Sequence, residues 1–124
     1  MDSKYKRQLL TAGVDLNIAL ERFMNNEDLY EKFLVEFLED RNFIELKKNL
    51  ELKKYEEAFM NAHTLKGVSA NLALDSIYSV LVLIVEELRH YNHGAINKEF
   101  RQLEENYNEL LNVIKENSSL QLIR

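Results

Sequence analysis

The sequence contains no cysteine, so it can form neither disulfide bonds nor thiolate metal sites, and nothing in it indicates an oxidising compartment. Proline is also absent, which removes the commonest helix breaker, and glycine occurs only three times. The longest apolar run, residues 80–85, is far shorter than the roughly 20 residues of a membrane helix. The N-terminal segment lacks the apolar core of a signal peptide. These absences favour an untargeted protein of the reducing cytoplasm without a membrane span.

Length and charge restrict the class of protein further. A chain of 124 residues with 46% hydrophobic content is sufficient for one hydrophobic core. We therefore expect a single domain over residues 1–124, with its core at about 13–116 and a flexible tail over 118–124. The formal net charge is -5 and the basic residues are scattered, so the sequence has no footprint for nucleic acid. We expect a monomer.

Helix-forming residues dominate the composition, and their apolar positions recur at helical spacing. The pattern predicts an all-α fold, an up-down four-helix bundle with a short extra N-terminal helix. The expected helices span about 15–24, 27–50, 55–72, 75–92 and 96–116, with Asp15 as the first N-cap and Gly94 ending the fourth. The apolar face of the second helix shifts after residues 39–42. The sequence does not decide whether that helix continues there.

One region of the third helix departs from the pattern of a structural helix. If Ala62 faces the core, the helical rotation of about 100° per residue places His63 on the solvent flank, with Gly67 and Ala70 one and two turns further on. A glycine in mid-helix costs about 1 kcal/mol relative to alanine. Gly67 and Ala70 would leave room for a partner beside His63, while Lys66 would supply positive charge to a phosphoryl group. A neutral imidazole is a competent nucleophile.

The same residues allow a second interpretation. An exposed histidine with a lysine at i+3 is common on protein surfaces, and Gly67 could simply let two helices pack closely. One histidine, one lysine and one glycine make a weak motif, so spacing alone favours this second interpretation.

The stretch AHTLKGVSANL at residues 62–72 resembles the signature of the histidine-containing phosphotransfer (HPt) domain family. The segments GVDL at 13–16 and ALERF at 19–23 are similar to the N-terminal region of that family in order and spacing. The resemblance covers most of residues 13–90.

This resemblance implies that His63 is the phosphoryl acceptor, that Lys66 stabilises the phosphoryl group and that Gly67 gives access to it. Arg89 corresponds to a basic position that assists in some members. The implied protein is a stoichiometric phosphoryl carrier and not an enzyme. Its implied partners are receiver domains of response regulators or hybrid histidine kinases. It needs no cofactor of its own, because the Mg2+ would be bound by the receiver.

Three positions depart from the family pattern. Ala73 stands where a glycine is usual, which puts the close packing of that helix turn in doubt. Lys54 stands where an acidic residue often precedes the helix. Val85 replaces a glutamine that some members place near the phosphohistidine, which implies fewer hydrogen bonds to the phosphoryl group.

Other classes of protein offer similar residues but lack necessary parts. Glu87 and His90 have the Glu-x-x-His spacing of di-iron bundles, with His93 one turn further, but the sequence has no second such motif, so we expect no metal site. The dimerisation helix of a histidine kinase usually has an acidic residue after its histidine, whereas Thr64 follows here. No glycine-rich nucleotide loop is present. A plain helical scaffold without phosphotransfer is the remaining alternative.

Overall fold

The computed structural model describes the backbone of residues 1–122 and the side chains of residues 1–118. Over that span the chain is helical and contains no strand, which confirms the all-α prediction. No helix among the described residues is both long and apolar enough to cross a membrane. The helices are α1 (Ser3–Thr11), α2 (Leu16–Arg22), α3 (Glu27–Phe37), α4 (Asn42–Glu51), α5 (Tyr55–Asn71), α6 (Asp75–Arg89), a 3-10 turn (His93–Ala95) and α7 (Ile96–Leu122).

Short polar side chains begin the first three helices. The carboxylates of Asp2 and Asp15 and the amide oxygen of Asn26 each accept a hydrogen bond from a backbone N–H three residues later, at 2.8, 3.2 and 3.0 Å. Each bond satisfies a donor that has no partner inside its helix. The predicted N-cap at Asp15 is confirmed.

The second predicted helix is broken into α3 and α4. Helix α3 ends at Phe37, and the Asp40 carboxylate then accepts hydrogen bonds from both the backbone N–H and the side-chain amide of Asn42, at 2.8 and 3.0 Å. These bonds favour a new helix start over continuation, because Asp40 replaces the intrahelical partner of the Asn42 N–H.

Several helices end on a residue with left-handed backbone angles, although only one of these residues is glycine. The residue pair after α6 shows the pattern: Tyr91 has a φ of 57° and the Asn92 N–H donates to the Glu87 carbonyl at 2.8 Å. This is the Schellman closure. Helix α6 therefore ends at Arg89, and the predictions that it reaches residue 92 and that Gly94 ends it are wrong.

The bundle is organised around α5 and α6. Helix α5 packs against α4 and α6, helix α6 packs against α7, and α1 and α3 add further contacts with α7. The Tyr30 hydroxyl on α3 donates to the Leu72 carbonyl at 2.7 Å, and burial raises the pKa of this phenol above its ordinary value. This bond fixes α3 against the end of α5, the helix that carries His63.

Both ends of the domain extend beyond the predicted core. Helix α1 contributes the buried side chains of Tyr5 and Leu9, so the core begins before residue 13. At the other end, Ser118 is buried and its hydroxyl donates to the Ile114 carbonyl at 2.6 Å. A flexible tail was expected over 118–124; the backbone of residues 118–122 continues helix α7, and residues 123 and 124 lie outside the described residues.

Candidate functional site

His63 lies on the exposed face of α5, as the helical spacing predicted. Its neighbours Ala62 and Leu65 are completely buried, so the core side of the helix is well defined at this point. The His63 side chain itself is exposed and forms no hydrogen bond with any described residue. Its ring nitrogens are therefore accessible to a reacting group from solvent or from a partner.

Gly67, one turn after His63, faces open space. A β-carbon built on it would have no atom within 4 Å beyond its own helix backbone, and the residue is exposed. The interpretation that Gly67 allows two helices to pack closely is therefore wrong, since nothing packs there. The helix contains a destabilising residue that the fold itself does not require.

Ala70 continues the same face of α5 one turn further. It is half-buried, and its carbonyl accepts a hydrogen bond from the Arg22 guanidinium at the end of α2. The buried Ser69 beside it donates its hydroxyl to the Lys66 carbonyl at 2.8 Å. The small side chains of Gly67 and Ala70 thus leave little bulk on the helix surface that follows His63, and the hydrogen bonds to the Lys66 and Ala70 carbonyls tie this part of the backbone to its neighbours.

Lys66 lies half-buried on α5 one turn after His63. Its ammonium group forms no ion pair or hydrogen bond with any residue that the structure describes. Because no described carboxylate engages this ammonium group, its positive charge and its hydrogen-bond donors are available to an incoming anion.

Arg89, the last residue of α6, reaches the same region through Phe59. The guanidinium carbon lies 5.7 Å from the centroid of the Phe59 ring, which is a cation–π distance. The Phe59 ring in turn lies parallel to the His63 imidazole, with 7° between the planes and 5.9 Å between the centroids. Arg89 also pairs with the Glu86 carboxylate on its own helix. Phe59 was not predicted to be part of the site, although its spacing of i−4 from His63 could have indicated the contact.

The other two histidines lie in different surroundings. His90 is within 3.3 Å of the Glu86 carboxylate, whereas His93 stacks on the Tyr55 ring with 3.6 Å between centroids. No group of three or more histidine or acidic side chains among the described residues could hold a metal ion.

Val85 is completely buried in α6 and faces the core. A side chain at this position contributes packing and no polar contact. The surface of α6 near His63 is instead formed by its last turn, where Arg89 and Glu86 lie.

The described residues thus form a helical bundle that presents one exposed imidazole beside a half-buried lysine and an unfilled glycine position. Such an arrangement can offer a nucleophile together with a cation able to stabilise an anion. The family model of the Hpt domain matches residues 28–113, which is more than half of the chain. The chain belongs to the Hpt domain family, whose members are phosphocarrier modules of phosphorelay signalling. No curated protein and no solved structure matches the chain.

Proposed function

We propose that His63 is the residue that carries the phosphoryl group, accepting it from the aspartyl phosphate of a receiver domain and passing it to another receiver. The observation that carries the proposal is Gly67. A mid-helix glycine costs about 1 kcal/mol relative to alanine, and no atom of the described residues outside the helix's own backbone lies within 4 Å of a β-carbon built on it. Packing within this chain does not explain a glycine at position 67. The need for a partner's surface to approach the exposed His63 does explain it.

The chemistry requires little from this chain beyond an accessible nucleophile. The lone pair of an unprotonated His63 ring nitrogen attacks phosphorus while the bond from phosphorus to the aspartyl oxygen breaks, and the bonding electrons stay on the carboxylate. The reverse step returns the phosphoryl group to another aspartate. The receiver supplies the Mg2+ and the in-line geometry, so no base is needed on α5.

Two cations support the transferred group in this proposal. Lys66 offers an ammonium without a carboxylate partner, and Arg89 offers a guanidinium held against Phe59. Both can approach the phosphoryl oxygens, which gain charge character in the transition state. Gly67 and Ala70 provide the low surface on which the receiver sits. The monomeric state and the cytoplasmic location stay predictions.

The test is phosphoryl transfer from phosphorylated receiver domains of the same organism. Wild-type protein should acquire phosphate that is labile in acid and stable in base, as expected for a phosphorus–nitrogen bond. The His63→Gln variant should remain folded, since the side chain contributes little to the core, and should acquire none.

A variant with both His90 and His93 replaced by Gln is the matched control, because it removes the other two imidazoles and leaves His63. It should accept phosphate as wild-type protein does. Acid-labile phosphate on folded His63→Gln protein would contradict the site. A wild-type protein that accepts phosphate from no receiver would favour the alternative, a helical scaffold without phosphotransfer.

A further inference from the structure

Among the described residues, Phe59 is the one aromatic side chain that contacts both the proposed nucleophile and one of its two proposed cations. It precedes His63 by one turn of α5, and the two rings are nearly parallel at 5.9 Å between centroids. The Arg89 guanidinium, from the end of α6, lies 5.7 Å from the same ring. Two groups from different helices therefore share a single aromatic platform.

The Phe59 ring is suited to this role because its own position is restrained. It is partly buried and packs against the hydrophobic core, so it cannot rotate freely. His63, in contrast, is exposed and has no hydrogen bond to a described residue, and its ring contact with a described aromatic side chain is the one with Phe59. Arg89 is likewise exposed, and its ion pair with a described residue is the one with Glu86.

We infer that Phe59 is a positioning residue, which orients the His63 imidazole by ring packing and holds the Arg89 guanidinium against the same ring by a cation–π contact. The inference rests on the proposed function. It assigns Phe59 no chemical step of its own. A side chain that is already ordered loses less entropy when the transition state forms, and a cation held in place needs no reorganisation.

The inference predicts a specific ranking of variants. Phe59→Leu keeps an apolar side chain but removes the ring, and should slow phosphorylation of His63 about three- to tenfold, which is the range of one aromatic or cation–π contact. Phe59→Tyr keeps the ring and should stay within about twofold of wild type on the same grounds. Phe59→Leu combined with Arg89→Ala should be slowed by less than the product of the two single effects, because the contact between Phe59 and Arg89 cannot be lost twice.

Two phosphoryl donors separate positioning from docking. Phosphoramidate is a small donor that needs no protein surface, whereas a phosphorylated receiver must dock. If Phe59 orients the imidazole and Arg89, Phe59→Leu lowers the rate with phosphoramidate and lowers the maximal single-turnover rate at saturating receiver. A loss confined to a higher half-saturating receiver concentration, with an unchanged phosphoramidate rate, would show that Phe59 is only a docking contact and would overturn the inference.

Phe100→Leu is the matched control, since Phe100 is also a partly buried phenylalanine and stacks on Phe43 at 5.5 Å, away from α5. Thermal melts of both leucine variants measure the loss of stability. Equal transfer rates in Phe59→Leu and Phe100→Leu, or a Phe59→Tyr variant as slow as Phe59→Leu, would contradict the inference. Failure of wild-type protein with both donors would contradict the proposed function itself, so the two failures are distinguishable.

Discussion

Ser76 occupies the space into which a side chain on Gly13 would project. A β-carbon on Gly13 would lie 2.9 Å from the Ser76 hydroxyl oxygen and still closer to its β-carbon. The Ser76 N–H donates to the Gly13 carbonyl at 3.0 Å, and its hydroxyl donates to the Ala12 carbonyl at 2.8 Å. Gly13 also has a φ of 89°, which L-amino acids rarely adopt. This contact joins the end of α1 to the start of α6.

We therefore expect Gly13→Ala to lower the free energy of unfolding by about 2–4 kcal/mol, because left-handed strain and overpacking act together. Urea denaturation measures the change. Gly94→Ala is the control, since a β-carbon there meets no atom within 4 Å and should change stability by less than about 0.5 kcal/mol. Equal stability of the two variants would show that the region around Ser76 can adjust.

Replacing Gly67 with alanine should increase the stability of the protein, in contrast to the same change at Gly13. The backbone at Gly67 is helical and the space around it is open, so Gly67→Ala should raise the free energy of unfolding by about 1 kcal/mol.

Gly67→Gln should also leave the fold intact, since glutamine is a good helix former, but its long side chain fills the space beside His63 and should slow phosphotransfer. A Gly67→Gln variant that transfers at the wild-type rate would refute the access argument.

Helix α5 begins without a side-chain cap. Lys54 occupies the N-cap position and has no acceptor atom, so it makes no capping hydrogen bond. Lys54→Asp should increase the free energy of unfolding by about 1 kcal/mol relative to Lys54→Ala, which lacks both the lysine charge and a cap. Chemical denaturation of the two variants measures the capping bond together with the favourable negative charge of Asp at the helix N-terminus. If they are equally stable, the Asp side chain does not reach the backbone donors.

The features that were predicted from the sequence are local ones. The N-cap at Asp15 and the exposure of His63 follow from residue type and from the helical repeat, which act over a few residues. Helix α1 was missed because its nine residues carry only a short apolar pattern, and it is stabilised by burying Tyr5 and Leu9 against the rest of the bundle. Tertiary packing decides such elements.

Three other results depended on information that a single sequence does not carry. The end of α6 was misplaced because Tyr91, and not a glycine, adopts the left-handed conformation there. Ala73 likewise adopts a φ of 56° where the family usually has glycine, so the chain keeps the turn and tolerates the strain. The contact between Phe59 and Arg89 joins two helices, and its existence depends on how α5 and α6 pack.

The raised pKa of the Glu87 carboxyl should make the stability of the protein depend on pH. Burial, and then the negative charge of Glu99, raise the pKa of this carboxyl above its ordinary value of 4.5. One oxygen of each carboxylate is buried without a hydrogen-bond partner among the described residues. The folded state therefore keeps the Glu87 proton up to a higher pH than the unfolded state does. The contribution of protonated Glu87 to the free energy of unfolding is fully present below pH 4.5 and is lost as the pH rises through the folded pKa.

Glu87→Gln should therefore be more stable than wild type at pH 7, and this advantage should shrink towards pH 4. Thermal melts at the two pH values measure it. Glu105→Gln, which removes an exposed carboxylate from α7, is the control and should show no such pH-dependent gain. If both variants behave alike, the carboxylate of Glu87 is solvated in the folded protein.

Lys66 should contribute charge and not the nucleophile. It lies one turn after His63 and has no ion pair with a described residue, so its removal breaks no bond that holds the fold. We expect Lys66→Ala to keep wild-type stability within about 0.5 kcal/mol and to slow phosphorylation of His63 about ten- to a hundredfold, the range of one hydrogen bond to a charged group.

Lys66→Arg keeps the charge and should recover part of the rate. Rates of phosphate uptake from phosphoramidate and from a phosphorylated receiver measure both variants. An undiminished rate in Lys66→Ala would remove Lys66 from the site, and complete loss in a folded variant would show that it does more than stabilise charge.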